Sequence, residues 1–113
     1  MNIPQEQIEE LKKAFGNVQY GEEGGYVFFL IPSFQLPEGC EPKIVDVLLC
    51  PMSRDGYPSR LFYSQEIRPP KPRNWNAKEV RILERNWWAF SWKLEHPDLR
   101  LIQMVSAHLR GLR

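Results

Sequence analysis

The sequence predicts an α+β fold, in which a helix at each end of the chain packs on an antiparallel sheet formed by the middle. Apolar residues recur at helical spacing near both ends of the chain. Between them lie short β-type runs that end at glycine or proline. The connections are too short to cross over a sheet, so consecutive strands are expected to be antiparallel. With 113 residues the chain can bury one core, and we expect residues 1–113 to form a single domain.

The first helix is predicted over residues 3–15. Ile8, Leu11 and Phe15 fall on one stripe at the spacing of about 3.6 residues per turn. Pro4 is tolerated in a first helical turn, and Gly16 is a common helix terminator. We therefore expect this helix to bury the stripe and to end at Gly16.

The centre of the chain is predicted to form three or four consecutive strands. The strongest run, Ile44–Cys50, alternates so that Val45, Val47 and Leu49 face one side of the sheet. Asp46 lies in that run; because an unpaired buried charge is costly, we expect it to face solvent or pair with an arginine. The predicted strands are Tyr26–Ile31, ended by Pro32, then Ile44–Cys50 and Arg60–Tyr63, with turns at residues 20–25, 36–39 and 54–56.

The last third of the chain begins with a proline-rich stretch. Its three prolines predict an extended loop over residues 68–76. Residues 77–85 fit either a helix or a strand. The residues from His96 to Asp98 are predicted to open the final helix, which Gly111 ends. The buried stripe of that helix is predicted to consist of Leu101, Ile102, Val105 and Leu109.

Composition argues against several classes of protein. The longest apolar run, residues 26–31, is far shorter than the about 20 residues that a spanning helix needs. The amino-terminal segment lacks the apolar centre of a signal peptide, so we expect a cytoplasmic protein. Cys40 and Cys50 form no CxxC pair, and His96 and His108 lack metal-ligand neighbours. No glycine motif for a dinucleotide or phosphate is present, and we expect neither a metal nor a cofactor.

Charge is distributed unevenly along the chain. Residues 1–67 hold 5 Lys/Arg against 10 Asp/Glu, whereas residues 68–113 hold 10 against 4. The net charges of the two parts are therefore −5 and +6. This asymmetry favours an acidic partner or a nucleotide near the C-terminal part; a solvated charged surface is the alternative.

A series of short motifs occurs in a characteristic order between residues 36 and 91. A Leu-Pro-x-Gly turn precedes a strand with an Asp followed by apolar residues, then a Tyr-Pro turn and an aromatic strand, and finally a Trp-x-x-aromatic-Ser block before a closing helix. In this chain the motifs are Leu36–Gly39, Asp46–Leu49, Tyr57-Pro58, Leu61–Tyr63 and Trp87–Ser91. In this order they resemble the prokaryotic ubiquitin-conjugating-enzyme-like proteins known as family E, over roughly residues 15–111.

The resemblance implies a ubiquitin-conjugating-enzyme-like fold with a long crossing loop before the last helix. It also implies a carrier that receives the C-terminus of a ubiquitin-like modifier from an activating enzyme. Such proteins are often encoded beside an activating enzyme, a modifier and a peptidase, in bacterial systems that look like antiphage defence. No membrane partner is expected, and nucleic acid is a less favoured one.

This chain departs from ordinary conjugating enzymes at the expected catalytic cysteine. It has no His-Pro-Asn tripeptide and no cysteine after Cys50. By order along the chain, Ser91 stands close to the place of that cysteine. The resemblance therefore implies an oxyester on Ser91, for which an activated donor or a base is needed.

The neighbours of Ser91 supply candidates for the other roles. His96 is the nearest candidate base. Asn74, Asn76 and Asn86 are the candidate donors to the oxyanion, of which Asn86 is favoured because it is nearest to Ser91 in sequence. Trp87, Trp88 and Trp92 would dock the flexible tail of the modifier. The alternatives are that Ser91 bonds the backbone of an aromatic loop and that the tryptophans pack this loop onto the sheet.

Two further functions remain open at this point. A non-catalytic relative would bind the modifier or the activating enzyme without forming an adduct, as the missing cysteine suggests. A small nucleic-acid-binding module would use the basic C-terminal part together with its aromatic residues.

Overall fold

The computed structural model describes residues 3–72, 74–94 and 99–112. Two helices enclose six strands in the order of the chain. They are α1 (Gln5–Phe15), β1 (Gln19–Glu23), β2 (Tyr26–Gln35), β3 (Ile44–Cys50), β4 (Arg60–Tyr63), β5 (Trp75–Ile82), β6 (Arg85–Phe90) and α2 (Leu101–Arg110). The predicted α+β class, with a helix near each end, is confirmed.

The strands form one antiparallel sheet in the order β1-β2-β3-β4-β6-β5. The prediction of three or four strands was too low, because it missed β1 and the β5–β6 pair. Strands β1 to β4 follow each other as neighbours, as short connections require. The order then reverses, since β6 and not β5 lies beside β4.

Helix α1 follows its sequence pattern closely. Leu11 is fully buried, and Ile8 and Phe15 pack against the same core. The helix ends at Gly16, whose φ of 79° is in the left-handed region and whose N–H donates to the Lys12 carbonyl at 2.7 Å. Glycine adopts this conformation at little cost, so the predicted terminator is confirmed.

The turn predicted over residues 20–25 is wrong for most of its length. Residues from Tyr20 to Glu23 belong to β1, and the chain reverses only at Gly24 and Gly25, with φ of 60° and 84°. A two-residue loop with both φ values positive suits the twist of a hairpin. The polar strand QYGEE carries no apolar alternation, and its pairing with β2 makes it a strand.

Strand β2 does not end at Pro32. It continues to Gln35 through a shift in register between Ile31 and Phe34. Ser33, inside that irregularity, has a φ of 50°. Proline has no N–H to donate to the neighbouring strand. A bulge interrupts the hydrogen-bond ladder at Pro32, so the strand can continue beyond it.

The segment that the sequence left undecided, residues 77–85, is strand except for a turn at Leu83 and Glu84. Residues from Ala77 to Ile82 lie in β5, and the aromatic block that we expected in a crossing loop forms most of β6. This hairpin joins the rest of the sheet through one ladder pair, Tyr63 with Trp88. The long crossing loop implied by the resemblance is therefore reduced to the residues between β4 and β5 and those between β6 and α2.

The tip of the β5–β6 hairpin reaches β1 and β3. The Leu83 N–H donates to the Glu23 carboxylate at 3.1 Å, and the Leu83 side chain lies against Gly21. Arg85 bonds Asp46 in β3 at 2.8 Å. The β5–β6 hairpin, at one edge of the sheet, thus folds over the face of β2, β3 and β4 that is opposite to the helices.

Two apolar clusters occupy the two faces of the sheet. Val45, Val47 and Leu49 belong to the cluster beneath the helices, whereas Leu48 and Cys50 belong to the cluster on the hairpin side. The alternation predicted for Ile44–Cys50 is confirmed. Each cluster removes several large side chains from water, which is the main stabilising contribution to such a fold.

Helix α2 begins later than its predicted start. His96, Pro97 and Asp98 lie outside the described residues. Arg100 has extended backbone, with φ of −73° and ψ of 162°, and the helix starts at Leu101. Leu101 and Val105 are buried, as predicted, and His108 is buried with them.

Candidate functional site

Ser91 is the first residue after β6, and it is exposed. The peptide group that joins it to Phe90 is held on both sides. The Ser91 N–H donates to the Asn74 carbonyl at 2.8 Å, and the Phe90 carbonyl accepts from Arg60 Nη2 at 3.4 Å. The backbone is therefore fixed by two different elements while the hydroxyl-bearing side chain remains in solvent.

The residue before Ser91 is locked in an aromatic cluster. Phe90 is buried, and the Trp75 ring stacks on it with a centroid distance of 4.0 Å and an interplanar angle of 17°. The Tyr63 and Phe90 rings also meet edge-on, with a centroid distance of 5.6 Å. Such ring pairs contribute about 0.5–1.5 kcal/mol beyond the area they bury.

The residue after Ser91 packs on the end of α2. A Cβ atom placed on Gly111 would lie 2.8 Å from the Trp92 ring, so only glycine allows this approach. Trp92 is half-buried and contacts the core beneath the helices. Ser91 therefore lies between two residues that are each anchored by packing.

Arg60 lies beneath this segment and is 2% exposed. Its guanidinium bonds the Asp55 carboxylate at 3.1 Å and lies 4.2 Å from the centre of the Tyr57 ring. Burial lowers the pKa of Arg60, although Asp55 opposes this effect. Arginine remains charged in proteins, so the site contains a buried positive charge next to the Phe90 carbonyl.

A second buried polar contact joins the residue before β4 to α2. His108 Nε2 and Ser59 Oγ are 3.0 Å apart, and both residues are buried. Burial, together with the charge of Arg60, lowers the pKa of His108 to about 4. This histidine is therefore neutral near pH 7, and its partner is Ser59 rather than Ser91.

A cavity of about 10 Å³ lies among Arg60, Phe90, Trp92, His108 and Gly111. That volume suits one water molecule and no larger ligand. Sequence reasoning missed Arg60 and His108 as parts of this region. The sequence does indicate that His108 is buried, because it follows Val105 by three residues and so falls on the apolar stripe of α2.

An open groove of about 620 Å³ is lined in part by Trp75, the residue after Asn74, whose carbonyl accepts from the Ser91 N–H. Its apolar surface comes from Pro42, Ile67 and Trp75. Charged side chains of both signs complete its rim, namely Glu41, Lys43, Glu66 and Arg68. This volume falls within the roughly 300–1,000 Å³ of clefts that bind small ligands.

The predicted catalytic residues are not all brought together. Asn86 lies at the opposite end of β6 from Ser91 and accepts a hydrogen bond from Arg81 at 3.5 Å. Five residues of strand correspond to about 16 Å, so Asn86 is too far to donate to an oxyanion at Ser91. His96 lies outside the described residues.

The three tryptophans of the predicted docking surface differ in burial. Trp87 is 1% exposed, and its indole N–H donates to the Ile82 carbonyl at 3.0 Å. It belongs to the core on the hairpin side, where no partner can reach it. Trp88 and Trp92 are half-buried and expose part of their surface.

The acidic part of the chain, residues 1–67, forms ion pairs with the basic part, residues 68–113. Four cations beyond residue 67 each meet a carboxylate from before it: Arg68–Glu41, Lys78–Glu66, Arg85–Asp46 and Arg100–Glu10. Exposed ion pairs contribute only about 0–1 kcal/mol each, so they orient elements more than they stabilise the fold. They also neutralise much of the basic part that a nucleic acid would need.

Within the described ranges, no group of three or more His, Cys, Asp and Glu residues could hold a metal ion. None of the described helices is both long and apolar enough to span a membrane. Comparison of the chain with protein-family models, with curated proteins and with solved structures finds no match in any of the three.

Proposed function

We propose that this chain is a ubiquitin-conjugating-enzyme-like carrier that receives the C-terminus of a ubiquitin-like modifier as an oxyester on Ser91. The observation that carries the proposal is the exposed Ser91 on a backbone held by Arg60 and Asn74. An exposed hydroxyl on a fixed backbone can meet a large macromolecular donor without rearrangement of the fold. Positioning of this kind is a major part of the rate gain in acyl transfer.

The proposed reaction is an acyl transfer from the activating enzyme. Ser91 Oγ attacks the activated carbonyl at the modifier's C-terminus, the bond to the enzyme's leaving group breaks, and an oxyester forms. The hydroxyl proton passes to a base, and His96 is the proposed base. An alcohol is a weak nucleophile at neutral pH, so the activation of the donor carries much of the driving force.

The groove lined by Trp75 suits the tail of the modifier. An extended glycine-rich tail has few side chains, so flat apolar surface and backbone contacts must recognise it. Trp75, which stacks on Phe90, the residue before Ser91, provides such a surface in the groove. Of the three tryptophans predicted to dock the tail, Trp88 and Trp92 remain accessible to the modifier.

The proposed setting follows from the sequence resemblance. The partners are an activating enzyme and a ubiquitin-like modifier, with a peptidase of the same system. The reaction takes place in the bacterial cytoplasm, as part of conjugation in defence against phage. The fold is then a conjugating-enzyme-like one in which a β-hairpin follows β4.

A non-catalytic binding protein is the second candidate, and one observation favours it. Among the described residues, no histidine or carboxylate forms a hydrogen bond with the Ser91 side chain. The described histidine, His108, is committed to Ser59. In that case the same groove would bind the modifier without an adduct.

A gel assay with the activating enzyme, the modifier and ATP tests the proposal. We expect an adduct that resists thiol and is cleaved by hydroxylamine. Ser91→Ala abolishes it, whereas Ser106→Ala, on the exposed side of α2, leaves it intact. An adduct that persists in Ser91→Ala refutes the assignment, and binding without an adduct under every donor selects the second candidate.

A further inference from the structure

We infer that Arg60 is a positioning residue for Ser91. This inference rests on the proposed function, in which Ser91 carries the modifier. Arg60 does not contact the hydroxyl; it acts through the carbonyl of Phe90, the residue before it.

The sequence context makes a charge at this position unusual. All four residues of β4, from Arg60 to Tyr63, are buried, and the other three are Leu, Phe and Tyr. A buried charge is costly unless hydrogen bonds and an opposite charge compensate for it. A purely apolar side chain would satisfy the packing of β4, so the arginine requires another explanation.

The contacts of Arg60 provide that explanation. One guanidinium nitrogen, Nη1, bonds Asp55 at 3.1 Å, and the other, Nη2, bonds the Phe90 carbonyl at 3.4 Å. The Tyr57 ring covers the guanidinium. The planar fork of arginine thus joins the turn before β4 to the last residue of β6.

A second hydrogen bond holds the opposite side of the Phe90–Ser91 peptide group. The Ser91 N–H donates to the Asn74 carbonyl at 2.8 Å, at the end of the proline-rich loop. Without the Arg60 contact, the Asn74 carbonyl would be the remaining hydrogen-bond partner of this peptide group, so the orientation of Ser91 would fluctuate more. Arg60 therefore determines how often the hydroxyl faces the incoming carbonyl.

The test compares Arg60→Lys with Arg54→Lys. Lysine keeps the charge but has no fork with which to bond Asp55 and Phe90 together. Arg54 is a matched control in the same region, since it also meets Asp55, at 3.5 Å, but packs on the Tyr26 ring at 4.6 Å. Asp55→Asn, at an exposed carboxylate, is the milder variant.

Two measurements are made on each variant. For Arg60→Lys we expect the Ser91 amide to exchange with solvent about tenfold faster while β3 amides stay unchanged. We also expect the adduct to form about tenfold more slowly at saturating donor, with the half-saturating donor concentration within about twofold. Asp55→Asn shows a smaller effect in the same direction, and Arg54→Lys shows neither.

The results separate this inference from the proposed function. Unchanged Ser91 exchange in Arg60→Lys, or faster exchange across the whole chain, overturns the inference. If the wild-type chain forms no adduct with any donor, the proposed function fails, and exchange at Ser91 still decides whether Arg60 holds it. If Arg60→Lys does not fold, Asp55→Asn decides by the same two measurements.

Discussion

Arg85, at the start of β6, donates a 2.8 Å hydrogen bond to Asp46, in the middle of β3. The other carboxylate oxygen of Asp46 accepts from the Ser33 N–H at 2.8 Å, in the bulge of β2. Asp46 is thereby the point at which the bulge, the central strand and the hairpin meet. The sequence predicted that this aspartate would face solvent or pair with an arginine, and the pairing with Arg85 is confirmed.

Replacement of Asp46 by Asn should lower the free energy of unfolding by about 1 kcal/mol, because a charge-assisted contact is lost at a partly exposed site. Chemical denaturation measures this change. In an Arg85→Gln background the same replacement should cost less, since the ion pair is already absent. Equal costs in the two backgrounds would show that the pair contributes nothing.

The same aspartate should contribute to the pH dependence of stability. Burial raises the pKa of Asp46, but the Ser33 N–H and Arg85 lower it more, so the net shift is downward. The unfolded chain then takes up a proton at a higher pH than the folded one. The stabilisation is present above the ordinary pKa of about 3.9 and is lost as the pH falls through the lower folded value. Asp46→Asn should remove this acid-dependent contribution.

As the pH falls, His108 should cause another loss of stability, at a higher pH than the loss caused by Asp46. Its pKa is lowered from 6.5 to about 4, chiefly by burial, so protonation favours the unfolded chain. Its stabilising effect is complete above pH 6.5 and disappears as the pH falls toward 4, by about 3 kcal/mol. Subtraction of the stability profile of His108→Gln from that of the wild type isolates this contribution. A difference that does not change with pH in this window would contradict the burial of a neutral His108.

Gly111→Ala tests the packing of Trp92 on α2. The φ of Gly111 is −66°, so alanine adopts the same backbone without strain, and its helix propensity would by itself be favourable. The new Cβ would nevertheless lie 2.8 Å from the Trp92 ring. We expect a loss of about 1–3 kcal/mol in thermal or chemical unfolding from this overpacking.

The matched background for that experiment is Trp92→Leu. A smaller side chain leaves room for the added methyl group, so Gly111→Ala should be neutral or stabilising there. If the cost of Gly111→Ala is the same in both backgrounds, the contact between the ring and the glycine is not its cause.

The extent to which the fold could be predicted depended on the periodicity of each element. Helix α1 and strand β3 carry apolar residues at regular spacing, and both were located correctly. Strand β1 is polar and becomes a strand only through β2, and β2 passes Pro32 through a bulge that local rules do not foresee. The aromatic block was expected in the crossing that follows the proline-rich stretch, whereas Trp87 to Phe90 lie in β6. A short continuous apolar run has no period of its own, so periodicity alone does not identify it as a strand.

The candidate site was predicted only in part for a similar reason. The order of motifs drew attention to Ser91, and nothing in the local sequence shows that Arg60 and Asn74 hold its peptide group. Those contacts span 30 and 17 residues of sequence and exist only after the sheet forms. Asn86 was chosen because it is close to Ser91 in sequence, but an extended strand carries it away.

The most direct test of the account is the chemistry of the bond at residue 91. In Ser91→Cys the modifier should form a thioester, so the adduct should become cleavable by thiol. The wild-type adduct, as an oxyester, should resist thiol and yield to hydroxylamine. Ser106→Cys, on the exposed side of α2, controls for a newly introduced thiol and should leave the adduct thiol-resistant. An adduct of Ser91→Cys that still resists thiol would place the linkage elsewhere and contradict the carrier role of Ser91.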